Sequence, residues 1–151
     1  MRATIGRLLA QAAFAALGAV TLVGAGCSGL FGPDDNRAGL ACLDDTPECV
    51  DQRQAVLKSM IADKDRRWVK EPATPQAHAS GVRLFAFRSR KKELSCEELA
   101  HGKREADTAA RSLRGPDGRG LSPAQISRAS MFAAEVSKEL AAELRLRRCR
   151  A

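Results

Sequence analysis

Apolar residues fall into two kinds of pattern along this chain. From Leu8 to Val23 they form a nearly unbroken run, interrupted only by Gln11 and Thr21. From Thr46 onward they recur at helical steps among charged residues. The most regular stripe is Ile126, Ala129, Ala133, Val136, Leu140 and Leu144, which predicts one buried face of a helix over 123–148. Leu99, Ala106, Ala109, Ala110 and Leu113 predict a second helix over 95–113. Val50, Leu57, Met60, Ile61 and Trp68 predict a third over 47–67. Another starts near Pro75 and carries Ala77, Gly81, Leu84 and Phe85. Here Val82–Phe87 also suits a short strand, and Gly81 inside a helix costs about 1 kcal/mol relative to Ala.

Local chemistry supports these starts. Thr46-Pro47, Thr74-Pro75 and Ser122-Pro123 each set a hydroxyl N-cap before a proline whose missing N–H would be orphaned there anyway. Ser95 with Glu98, and Ser122 with Gln125, have the spacing of capping boxes. Arg114–Gly120 holds three glycines and a proline and reads as a loop. Ser28–Ala41 has the same turn chemistry with little to bury, and reads as a tether. Aromatics are 4% of the 151 residues, with one Trp and no Tyr. Such a composition favours helix over sheet. The expected fold is mainly α, a small bundle of about four helices over 42–151, behind a tether over 27–41.

The first 26 residues have the parts of a secretory signal: Arg2 and Arg7, a short apolar run, then Gly24-Ala25-Gly26 before Cys27. The run is short for a membrane span, which needs about 20 apolar residues. Val23-Gly24-Ala25-Gly26-Cys27 resembles the lipobox of bacterial lipoproteins. That resemblance implies cleavage before Cys27 and acylation of its thiol, and with Ser28 next it implies an outer-membrane anchor facing the periplasm. The sequence departs from the pattern at Gly24, where Leu is usual. Gly24 and Gly26 also suit ordinary signal peptidase, which would cut the same bond. The likeness stops at Cys27.

Four cysteines remain: Cys42, Cys49, Cys96 and Cys149. An even number in a small exported domain implies two disulfides, with three possible connectivities. Cys42–Cys49 with Cys96–Cys149 is the pairing an antiparallel hairpin of the last two helices favours; Cys42–Cys96 with Cys49–Cys149 is the alternative. The favoured pairing meets a length problem, because the last helix is expected to outrun its partner by about eight residues, roughly 12 Å. It must end early or bend.

The formal charge is +7, of which residues 1–26 contribute two. Export removes nucleic acid as a partner and leaves anionic membrane surface, lipopolysaccharide or an acidic envelope protein. Arg83, Arg88, Arg90, Lys91 and Lys92 fall within ten positions, interleaved with Leu84, Phe85 and Phe87, and are the candidate anionic-surface contact. Arg145, Arg147, Arg148 and Arg150 crowd the end of the last helix, where cations complement its dipole. Glu98 and His101 share a helix face, but no second E-x-x-H completes a di-iron site. Neither His lies near a cysteine pair, so no metal and no cofactor is expected. Motifs for nucleophilic, zinc-dependent or phosphate-binding chemistry are missing. The residues therefore point to a binding or structural role in the cell envelope. The competing reading is a small enzyme acting on peptidoglycan or lipid.

Overall fold

A computed structural model describes residues 40–150; the expected signal peptide, Cys27 and nearly all of the tether lie outside them. The described chain is mainly helical, with α1 at Pro47–Ala62, α2 at Pro75–Ser80, α3 at Val82–Arg90, α4 at Cys96–Arg114 and α5 at Pro123–Leu146. Two 3₁₀ turns, Arg67–Val69 and Pro116–Gly118, punctuate the connections. The caps work as their spacing implies. Thr46 accepts the N–H of Cys49 and Thr74 that of Ala77, while Ser95/Glu98 and Ser122/Gln125 complete reciprocal capping boxes.

Two boundaries differ from expectation. α1 stops at Ala62 rather than reaching 67, because the Asp63 carboxylate accepts the N–H groups of Asp65 and Arg67. That local turn competes with the next helical turn, and Arg66 takes up a left-handed conformation (φ 51°) inside it. The helix that starts at Pro75 is cut in two by Gly81, whose φ of 72° is open to glycine and strained for other residues. Its N–H closes α2 on the His78 carbonyl, and its own carbonyl accepts Phe85 N–H to open α3. Val82–Phe87 is thus helix, and among the described residues there is no strand.

α4 and α5 form the antiparallel hairpin. Cys96 at the start of α4 is bonded to Cys149 beyond α5, and Asp107 meets Ser137 midway. α3 lies against both, antiparallel to α4 and parallel to α5: Arg83 and Phe87 face Glu105 and Gly102, while Arg88 and Lys91 face Glu135 and Glu139. α1 runs alongside α3, where Arg90 donates to the Ile61 carbonyl. The core between them holds Leu84, Phe87, Leu94, Leu99, Val136 and Leu140, all fully buried. Trp68 packs edge-on to Phe87, ring centres 4.8 Å apart.

The cysteines pair as Cys42–Cys49 and Cys96–Cys149, each with Cα atoms 5.5 Å apart. The length problem is solved at the end of α5. The helix stops at Leu146, and the chain reverses through a Schellman turn: Arg148 N–H bonds the Arg145 carbonyl (3.0 Å) and Cys149 N–H the Leu144 carbonyl (2.9 Å). Arg148 takes the left-handed position (φ 53°) where glycine is usual, and Leu144 and Cys149 both pack against the core.

At Gly102 the Phe87 ring of α3 lies against the α4 backbone, and a Cβ there would lie 2.5 Å from it. Gly102→Ala should therefore lower stability by about 1–3 kcal/mol through overpacking, read as a lower urea midpoint at unchanged slope. Trimming the ring in the same background, Phe87→Leu, should lessen the added penalty; additive losses would place the clash elsewhere.

Candidate functional site

The basic segment expected to face an anionic surface is largely committed to the protein itself. Arg83 is buried, 2% exposed. Its Nε and one Nη donate to the Glu105 carboxylate at 3.0 and 2.7 Å, and its Nη groups also donate to the carbonyls of Trp68 (2.7 Å) and Glu71 (2.9 Å). Arg88 bridges Glu135 and Glu139, Lys91 donates to Glu139, and Arg90 to Glu93 and the Ile61 carbonyl. The reading of these five residues as one exposed row is corrected at Arg83. Helical spacing turns Arg83 and Phe87 inward together and aims Arg88 and Lys91 at α5. Lys92 alone is exposed with no ion-pair partner among the described residues. Sequence reasoning missed Glu105, although an acid between Gly102 and Ala109 on the buried stripe of α4 was the available signal.

His78 completes this interior. It is 3% exposed, and its Nδ1 has no hydrogen-bond partner. Burial pushes the imidazole below its ordinary 6.5; Glu105 opposes the shift and Arg83 adds to it.

Glu98 and His101 share a cleft of about 220 Å³ with Arg66, Val69, Lys70 and Ser95. Glu98 is fully engaged, accepting from Arg66 Nε (2.8 Å) and Ser95 N–H (2.7 Å). Burial raises its carboxyl, but those bonds outweigh it and hold the group below the ordinary carboxylate value. The carboxylate ties α4 to the turn after α1, while His101 stacks toward Phe87. Among the described residues, one set of three ligand-type side chains converges: Cys42, Asp44 and Cys49, whose sulfurs are bonded to each other.

A groove with more apolar walls lies elsewhere. An open, mainly apolar groove of about 320 Å³ runs between Val50 and Leu57 of α1, the Gly81 break with Phe85, and Ala129 and Phe132 of α5. Phe85 is 43% exposed, against full burial of its neighbours Leu84 and Ala86. Arg53 and Arg128 stand on the wall. Arg53 is held by the carbonyls of Cys42 (3.2 Å) and Asp44 (2.6 Å), which pins the Cys42–Cys49 loop beside the groove. Arg128 reaches into solvent with 62% of its side chain exposed, 3.6 Å from Asp45. The arrangement can hold an apolar group that carries an acid at its edge. No single stretch of sequence reveals it, because its walls come from three separate segments.

No protein-family model, curated protein or solved structure matches this chain.

Two tests follow from the buried cluster. Glu105→Ala strands the Arg83 guanidinium and should lower stability by about 3–5 kcal/mol, whereas Arg83→Met with Glu105→Leu should lose far less than the two single changes added. For His78 the folded value lies below the unfolded one, so unfolding takes up a proton. Its contribution is complete above about pH 6.5 and is lost progressively as pH falls from there through the lower folded value. Urea midpoints should therefore decline as pH falls below about 6.5, and His78→Gln should flatten that decline. An unchanged slope would assign it to other groups.

Proposed function

We propose that this chain is an exported lipoprotein, anchored through Cys27 in the cell envelope and facing the periplasm from the outer membrane. Its helical domain acts by binding rather than catalysis. The signal architecture of residues 1–26 supports the address. The two cysteine pairs fit an oxidising compartment, and no described helix is long and apolar enough to cross a membrane.

The groove carries the binding reading. An aromatic side chain left 43% exposed beside an apolar hollow, with the largely exposed Arg128 guanidinium at its edge in a long, solvent-facing pair with Asp45, suits an apolar peptide segment flanked by an acidic residue, supplied by another envelope protein. Arg128 gives charge complementarity at the rim, and the Phe85 and Phe132 rings give the apolar contact.

Two measurements check this. Acyl mass should sit on Cys27 of the membrane form, and Cys27→Ser should release the protein to the soluble periplasm. Full membrane retention of that variant, with residues 1–26 still attached, would make the apolar run a span. Anilinonaphthalene sulfonate, an apolar anion, should bind the folded domain saturably. Phe85→Glu should abolish this binding, and Arg128→Gln should weaken it several-fold. Saturation unchanged in Phe85→Glu would remove the groove from consideration.

A further inference from the structure

The cations missing from the Arg83–Lys91 row reappear at one end of the bundle. Arg147 donates to the Leu94 carbonyl, and Cys96–Cys149 closes the same junction, so the Lys91–Ser95 loop is clasped to the end of α5. Lys92, Arg145, Arg147, Arg148 and Arg150 are all exposed there, and none forms an ion pair with another described residue. Glu93 and Glu139, the acids on the adjoining loop and seam, are already held by Arg90 and Lys91. Among these cations stands Leu146, 78% exposed and the most exposed large apolar side chain described.

Helix-dipole chemistry accounts for basic residues in the last turn of α5. It does not call for a leucine held in water between arginines. A soluble polyanion would gain from the cations alone. A bilayer surface uses both, because guanidinium groups meet phosphate headgroups while an apolar side chain enters the boundary beneath them. We infer that this pole, Lys92 with Arg145–Arg150, is a docking surface for an anionic phospholipid bilayer. The site does not depend on acylation of Cys27 or on the groove. The junction makes it a fixed surface, because Lys92 and the arginines are more than fifty residues apart in the chain and are held together by the Cys96–Cys149 bridge, the Arg147 contact and the Lys91–Glu139 pair.

The test uses residues 28–151 without lipid, with disulfides intact and helicity checked by circular dichroism. The parent should co-sediment at low salt with vesicles containing phosphatidylglycerol, release as salt rises, and ignore phosphatidylcholine vesicles. Changing Lys92→Gln, Arg145→Gln, Arg148→Asn and Arg150→Gln together should weaken binding by about tenfold or more. Asn at 148 tolerates the left-handed backbone, and Arg147 is kept because it holds Leu94. Leu146→Ser should weaken binding several-fold while keeping the salt dependence. Arg88→Gln with Lys91→Gln should bind like the parent, which separates this pole from the α3 row. Parent-like binding by the fourfold variant overturns the proposal, as does failure of the parent to bind. Loss in the fourfold variant with Leu146→Ser unaffected also overturns it, in favour of a soluble polyanion.

Discussion

The bundle is organised around one buried ion pair. A guanidinium cannot be taken from water without a partner for its charge and acceptors for its N–H groups, and Arg83 finds all of them in one place. Glu105 accepts from two of its nitrogens, which sets the register of α3 on α4. The Trp68 and Glu71 carbonyls take the remaining bonds, so the connection from α1 to α2 must wrap over the same point. One turn further along α3, Phe87 then falls onto Gly102, the position on α4 that a ring can approach. Both contacts require Gly81 to break the helix ahead of them, because a straight continuation from Pro75 would send α3 in another direction.

The features that sequence showed best were those written in adjacent residues. Every cap that a short motif announced holds, because an N-cap hydroxyl and the N–H it receives are three positions apart. The cysteine pairing was legible as well, since the two long amphipathic stripes imply an antiparallel hairpin and its ends bear Cys96 and Cys149. What sequence concealed was set by competition or by distance. Asp63 halts α1 through a side-chain turn that helical periodicity does not register. The charges of α3 are answered by Glu105, Glu135 and Glu139, up to 48 residues away, so a row of cations without a neighbouring acid looked free when it was not. The groove belongs to the same class, assembled from α1, the Gly81 break and α5.

The pairing of charge also explains where the excess went. Apart from Glu93, which meets Arg90, the described acids that answer α3 lie on α4 and α5, facing inward or along the α3–α5 seam. Once Glu135 and Glu139 are held by Arg88 and Lys91, the terminal arginines of α5 have few acids left to meet. The helix must still end early for Cys149 to reach Cys96, and the Schellman turn that does this points Arg145, Leu146 and Arg148 outward. The basic pole is therefore a consequence of the same bridge that closes the hairpin.

The groove and the pole lie at opposite ends of α5, whose 24 residues span roughly 36 Å. α1, α3 and α5 run in parallel, so the starts of α1, α3 and α5 gather around the groove and their ends at the pole. Residues 42–45 are held at the groove end, by Arg53 and by Gln125 on the Leu43 carbonyl. The start of the described chain is thus fixed at the end of the domain opposite the pole. A surface that meets the cations and Leu146 together approaches the domain from the end away from the groove. The apolar hollow between α1, the Gly81 break and α5 then stays open, because no part of the pole reaches its walls.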